Sequence, residues 1–526
     1  MRFFICLIFI LVSFQGKAQF DWSFSFDTIH VPGWPGIHSF AYGIYEQKLY
    51  VFGGRRDGLH PKESGFERTQ ANDSIFIIDL LNLKVTSVAL DIEDVLLYDA
   101  LTTSGMQFIQ KNQSLYLIGG YGESILGGYK TFPTLTEIKL NELAIAIDKQ
   151  ADISKSIRYI VDSTFTVAGG QMDYLEDIFF LVGGHKFEGK YKSSDNKQLQ
   201  TYTDKAILFK IISTPDTFYT QKQAEILDEF NFHRRDYNLN KINMADGGEK
   251  LLIHSGVFMI NEARPFLNMA LLDSLGYKDV DNFLHKYANY HCAKTLLMDS
   301  LNNTFHIIFY GGMSEFYIDS FAQEIRDPFV PFVSSVSRIS RMPTDQFIEQ
   351  LHAEQLPGFF GSSAEFIVHP TFTKDGEKII DISTLPKDTN MIGWILGGIW
   401  NPSLERNPWQ KDKAHLTRSN PYFIPVFIIK NKTGTKTKES NNVYTKLNIT
   451  CWPNPCEDHL TITLEKDVTS ICYWIQNSIG ELVIYNELKE FKNEFQIPIR
   501  HLISGSYKLL LSTDKKELTT HNFIKK

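Results

Sequence analysis

Seven short stretches set aromatic rings beside guanidinium groups, imidazoles and carboxylates. They are "RRDGLH" from Arg55, "YGES" from Tyr121, "HKFEGKY" from His185, "FNFHRRDYN" from Phe230, "HKYANYHC" from His285, "MSEFY" from Met313 and "GGIWNPSLERNPW" from Gly397. Rings offer flat apolar contact and charged groups fix orientation, a combination suited to a sugar or a peptide. The candidate ligand-binding residues are Arg55, Arg56, Tyr121, Glu123, His185, Arg234, Arg235, Asp236, Tyr290, His291, Glu315 and Trp400. Arg234-Arg235-Asp236 is the best single cluster, because two guanidinium groups beside a carboxylate can clamp an anion. The same residues also suit ordinary solvated loops, and that cluster also suits an exposed salt-bridged turn. For acid-base chemistry the candidates are Glu315, Arg234, His291 and Glu123. No Cys/His cluster has zinc-ligand spacing, so neither a metal nor a cofactor is expected.

The elements that must position these loops share one signature. "KLYVFGG", "SLYLIGG", "IFFLVGG", "HIIFYGG" and "IGWILGG" end at Gly54, Gly120, Gly184, Gly312 and Gly398, and "LLIHSGV" supplies Ser255-Gly256 in the remaining gap. The mean spacing is about 69 residues. Each copy is a strand-like run rich in β-branched and aromatic residues, and several follow a polar hairpin turn such as "YEQKLY" or "QKNQSLY". After each pair comes a variable loop and another strand, as in "NDSIFIIDLLNLKVTSVALD", "TLTEIKLNELAIAID" and "TDKAILFKIIST". "GGYGESILGG" does not make a dinucleotide site, since no glycine follows at the required spacing and no helical period follows the turn. A phosphate loop is excluded because no Gly-Lys-Ser/Thr is present there.

Hydrophobic strands ending in Gly-Gly, each followed by a loop and an Asp-containing strand, resemble the kelch repeat. The family's repeat is nearer about 50 residues, so the loops here are longer. A regular Trp in each last strand is missing, and the fourth copy has lost one glycine. The resemblance implies an all-β fold, a six-bladed β-propeller of four-stranded sheets over residues 19–432. Such a ring closes best when one blade uses both chain ends, and "WSFSFDTIHVPG" has no blade of its own, so residues near Trp22 to Val31 are expected to complete the last sheet. The charged loops would then meet at one mouth of the axial channel. Two functions stay open: a non-catalytic protein- or glycan-binding adhesion module, and a glycan-active enzyme of the sugar epimerase or mutarotase kind, which such propellers include. A copper enzyme of the galactose-oxidase kind fits poorly, because Cys292 is the only cysteine in this region.

The ends of the chain address its location. "MRFFICLIFILVSFQGKAQF" has a basic start, an apolar run from Phe3 to Phe14 and small residues at Gly16 and Ala18, the layout of a signal peptide over residues 1–18. No other run is long and apolar enough for a stable transmembrane segment. The formal charge of −8 becomes two units more acidic once Arg2 and Lys17 leave, and no basic block suggests nucleic acid. Cys292 reads as a buried thiol, while the pairing of Cys451, Cys456 and Cys472 stays open. Residues 433–445 read as a polar linker, and residues 446–526 as short alternating strands of a small C-terminal β-sandwich. This tail resembles the C-terminal sorting domain of type IX secretion cargo in Bacteroidetes-like bacteria, on Trp452-Pro453-Asn454-Pro455, "DHLTI", "IGELV", "LISGSYKLLL" and the closing Lys525-Lys526. The resemblance implies the type IX secretion machinery as partner and a final place outside the cell, at the surface or released, where the ligand is an extracellular protein or glycan.

Overall fold

A computed structural model describes residues 22–526, apart from 61–64, 192–198, 261, 263, 320, 374–377, 404–405, 410–415, 431–439, 443–444, 447–448, 466–467, 469, 478–481, 490–492 and 514–516. The expected signal peptide lies outside the described residues.

The chain is all-β. Six sheets with antiparallel core strands follow one another along residues 41–89, 107–161, 171–227, 238–279, 294–355 and 365–430; in the first five the four core strands pair in chain order, and Ile379–Asp381 joins the fifth in parallel. The sixth contributes Glu365–Val368, Thr389–Leu396 and Tyr422–Lys430, and its fourth strand is Trp22–Phe26, in register from Trp22 opposite Lys430 to Phe26 opposite Val426. The N-terminal segment thus completes the last sheet as expected, satisfying an edge that would otherwise stand open.

The inner strands of the sheets are buried on both faces, which is why several second strands are almost continuously apolar rather than alternating. Ser114–Ile118 is buried from Leu115 onward and Ile178–Val182 from Phe179 onward. One core lies between the first and second sheets around Tyr50, Leu117 and Leu140, and another between the fifth and sixth around Tyr310, Phe366 and Ile395. A further core joins the sixth sheet back to the first through Trp34, Leu49, Trp394 and Phe423.

The glycine pairs sit at these seams. The second glycine of each copy donates its N–H to the segment leading into the following sheet: Gly54 to Thr103, Gly120 to Val167, Gly184 to Arg234, Gly256 to Asn289, Gly312 to Phe360 and Gly398 to Ile37, at 2.7 to 2.9 Å. The first glycine makes that approach possible. Gly119 has φ +63°, and a Cβ there would collide with the Val167 carbonyl oxygen. In the fourth copy Ser255 keeps the left-handed conformation at φ +64°. Its hydroxyl donates to the Ala288 carbonyl at 2.7 Å and lies 3.0 Å from Nε2 of His285, whose Nδ1 is 2.8 Å from Glu349. Ser255, His285 and Glu349 are each wholly buried, so this serine-histidine-glutamate chain ties the fourth sheet to the fifth and is closed to a substrate.

Just ahead of each sheet, one residue joins a closed circuit of main-chain hydrogen bonds. Ser39 donates to Ser363, Ser363 to His291, His291 to Asp236, Asp236 to Gly169, Gly169 to Gly105 and Gly105 back to Ser39, at 2.6 to 3.2 Å. All but His291 hold positive φ, between 51° and 65°. Six sheets therefore meet at a common ring of backbone.

Local departures have local causes. Leu140–Asp148 is a helix where the sequence reads as more strand, because Leu140, Leu143 and Ala144 recur at helical spacing and are buried. Part of the polar linker is also structured: Ser440–Asn442 pairs with the outer strand of the fifth sheet. In the tail, a five-stranded and a three-stranded sheet share a core that includes Leu460, Ile475, Ile497 and Leu509. Cys292, Cys451 and Cys456 are free thiols.

Replacing Gly119 with alanine is expected to lower stability by upward of about 3 kcal/mol, the sum of left-handed strain and overpacking. Gly128→Ala is the control: its φ is also positive, at +85°, but nothing lies within 4 Å of the added Cβ. That change should cost about 1 kcal/mol. Denaturant unfolding of both variants measures the difference, and equal losses would refute the seam-packing account.

Candidate functional site

A cavity of about 190 Å³ lies against the backbone ring. Ser39, Gly105, Gly169, Asp236 and Ser363 of the ring line it, together with the residue just before each ring member: His38, Ser104, Ala168, Arg235, Tyr290 and Ser362. Residues that directly follow the glycine pairs, Arg55, Tyr121, His185, Met313 and Ile399, form the wall. Isolated bridges from His38 to Arg55, Ser104 to Tyr121 and Ala168 to His185 hold the two sets together. Farther out stand His60, Phe66, Phe187, Tyr191, Phe258 and Trp409. The loops after the glycine pairs and those leading into the sheets thus converge on one cavity.

One side of the cavity is an internally paired cluster. Arg55 donates twice to Asp57, Nε to Oδ1 at 2.9 Å and Nη2 to Oδ2 at 2.5 Å, and its guanidinium lies 5.0 Å from the Phe66 ring centre. Nε2 of His38 is 3.4 Å from Asp57, and its Nδ1 is 3.0 Å from the Ser39 hydroxyl. Burial opposes the Asp57 charge, but the hydrogen bonds from His38 and Arg55 prevail and bring its pKa down to about 2. Burial also lowers the His38 imidazole against the pull of Asp57.

Arg235 occupies another part of the lining. Its Nη1 lies 3.1 Å from Nδ1 of His185, which Gln200 Nε2 also approaches at 2.9 Å. Two donors at one ring nitrogen require that nitrogen to accept, so His185 is neutral with its proton on Nε2. Burial, then the charge of Arg235, holds its pKa well below the ordinary value. The guanidinium stacks 4.8 Å from the centre of Phe258, and its Nε is 3.7 Å from Asp236, too far for a hydrogen bond. Burial raises the Asp236 pKa against the effect of Arg235. His60 packs edge-on to Tyr191 at 4.4 Å, and burial with the charges of Arg235 and Arg55 lowers it to about 4. On the residues that line the cavity, two buried nitrogens have no hydrogen-bond partner among the described residues, Nε of Arg235 and Nδ1 of His60.

Of the twelve residues singled out in the sequence, Arg55, Tyr121, His185, Arg235, Asp236 and Tyr290 line this cavity. The other six do not. Arg56 turns to Asn72 and Asp73, each at 3.2 Å. Glu123 accepts the Arg68 N–H at 2.9 Å. Arg234, next to Arg235 on extended backbone, points the opposite way. It is wholly buried, donating to Ser255 O and Asn268 Oδ1 at 2.9 Å and lying over Phe266. Its pKa is lowered to about 10 by burial. The His291 imidazole pairs with Glu365 at 3.3 Å, and Glu315 is taken up by Arg264 and Arg326 at 3.0 and 2.9 Å. Trp400 stacks on Phe360 with Arg418 above it. His38, Asp57 and His60 were not singled out. Asp57 and His60 belong to the "RRDGLH" loop already quoted, and His38 occupies the same place before its sheet as Arg235 does before the fourth. Among the described residues no group of three His, Cys, Asp or Glu side chains could hold a metal ion.

Comparison with known proteins bears mainly on the tail. Residues 450–526 match the family model described as the secretion system C-terminal sorting domain. No curated protein sequence matches the chain. A solved chain titled "Structure of YjhT" is similar in shape at a TM-score of 0.43 and 9% identity, over 78% of this chain and 99% of that one. No helix among the described residues is long and apolar enough to cross a membrane. The sorting domain marks the protein for type IX export to the cell surface or the surroundings and implies contact with that machinery.

Proposed function

We propose that the exported chain is a six-bladed, kelch-type β-propeller that acts as a binding or adhesion module, taking a glycan or a peptide side chain into the axial cavity. Six successive sheets, the N-terminal strand in the sixth and the closed main-chain circuit support the propeller reading. The binding reading rests on one observation. Nε of Arg235 and Nδ1 of His60 belong to residues that line the cavity and are buried without a hydrogen-bond partner among the described residues, as are atoms elsewhere in the fold such as Nε1 of Trp34 and Oε1 of Gln107. A ligand that brings an acceptor to Arg235 and a flat face to Tyr191, Tyr290 or Phe258 would satisfy that deficit.

A glycan-active enzyme of the epimerase or mutarotase kind is the second reading, and the meeting of Arg55, Asp57 and His38 favours it. Proton transfer near neutral pH is most efficient from a group whose pKa lies near the working pH. Asp57 is held ionised with a pKa of about 2, and His38, His60 and His185 are all shifted downward. The four acid-base candidates, Glu315, Arg234, His291 and Glu123, lie off the cavity. Binding is therefore the first reading.

On glycan and protein arrays, Arg235→Ala is expected to lose at least about tenfold in affinity for the ligand the parent selects, with a smaller loss of stability than Arg234→Ala, as befits a lost charged hydrogen bond. Arg234→Ala should instead lower stability by about 2 to 4 kcal/mol through its lost packing and the orphaned Ser255 carbonyl. An Arg235 variant that binds like the parent would overturn the site assignment.

The Asp57 pairing also predicts an acid response. A carboxylate whose pKa is depressed in the fold contributes stability above its unfolded value, lost as pH falls through the folded one. The gap between parent and Asp57→Asn should be full above about pH 4 and shrink by about 2 kcal/mol toward pH 2. Denaturant titrations across that window measure it; a gap that does not vary with pH refutes the pairing.

A further inference from the structure

The two ends of the sorting segment meet in space. The Asn454 carboxamide joins them, Nδ2 donating to the Asn522 carbonyl at 3.2 Å and Oδ1 accepting the Ile524 N–H at 2.9 Å. Cys456 extends the join: its N–H donates to Ile524 O at 2.8 Å, and its carbonyl accepts the Lys526 N–H at 2.9 Å. These bonds hold residues 522–526 against residues 454–456. The same end of the tail gathers its exposed apolar side chains. Trp452 is 51% exposed, Ile524 49% and Ile503 82%, and no other large apolar side chain of the tail is as exposed among the described residues. Ile503 lies two residues before Gly505, which pairs with Lys525. Arg500 and Lys525 at the same end are already engaged, Arg500 lying 3.2 Å from Asp458 and Lys525 Nζ donating to Lys526 O.

We propose that this end is the face read by the export machinery, with Trp452 as its apolar anchor and Asn454 as the positioning residue that holds residues 522–526 beside it. The partner is a protein of the type IX machinery that offers an apolar pocket to Trp452. A signal read only as an extended peptide would gain nothing from a clamp between residues about seventy positions apart in the chain. A signal read as a folded surface needs both ends in place, because hot spots at interfaces are aromatic anchors held in a fixed setting.

The test uses the full chain expressed in a host with the export system, with purified protein for biophysics. For Asn454→Ala, melting should match the parent, amide exchange at Ile524 should rise about tenfold, and the exported fraction should fall at least about fivefold. Trp452→Ala should keep parent-like exchange and melting while export falls to a similar degree. If Asn454→Ala unfolds the tail, Trp452→Ala decides alone. Normal export of Trp452→Ala overturns the proposal. So does normal export of Asn454→Ala with fast exchange at Ile524. A change in oligomeric state with export intact assigns the patch to self-association and equally overturns it.

Discussion

Close backbone-to-backbone contact where the sheets meet governs this structure. Six N–H groups of the glycine pairs cross to the next sheet, and six more main-chain hydrogen bonds close a circuit around the middle. Neither set depends on a particular side chain, but both depend on keeping Cβ atoms out of the way at the seam. At Gly119 a methyl group would occupy the space of the Val167 carbonyl oxygen. Packing between the sheets then follows from a spacing fixed by main chain, and the floor of the cavity is built of groups that cannot be altered by ordinary substitution.

That constraint explains which parts of the fold were legible. A glycine pair after an apolar strand marks the seam directly, because no other residue type meets the steric demand as easily. The fourth copy shows the cost of an exception: Ser255 needs Ala288, His285 and Glu349 to accommodate it. The central circuit was invisible, since Ser39, Gly105, Gly169, Asp236, His291 and Ser363 share a backbone role and no side-chain chemistry. The Leu140–Asp148 helix was missed because its apolar residues also fit a strand when the buried face is unknown.

The candidate site was half legible for a related reason. Sequence shows which loops carry charge but not which way a residue faces on extended backbone. Arg234 and Arg235 are adjacent and alike, yet one sits under Phe266 between sheets and the other beside Phe258 at the cavity. Register decides: Arg235 directly precedes ring member Asp236, while Arg234 lies one step further back and on the other side.

Departures from sixfold likeness also create the cavity. Three of the six positions before the ring, Ser104, Ala168 and Ser362, are small, which opens space, while His38, Arg235 and Tyr290 fill the others with functional groups. On the His38 side the charge is already balanced, since Asp57 takes both Arg55 and His38. On the Arg235 side the pairing is looser, because Asp236 stands 3.7 Å away, within reach of its charge but not of a hydrogen bond, and His185 can accept but offers no negative charge. An incoming group with negative charge or strong acceptors would therefore be drawn toward Arg235 rather than Arg55, although both are guanidinium groups lining one cavity. The main chain is uniform around the ring, and the polarity of the site comes from which few positions break that uniformity.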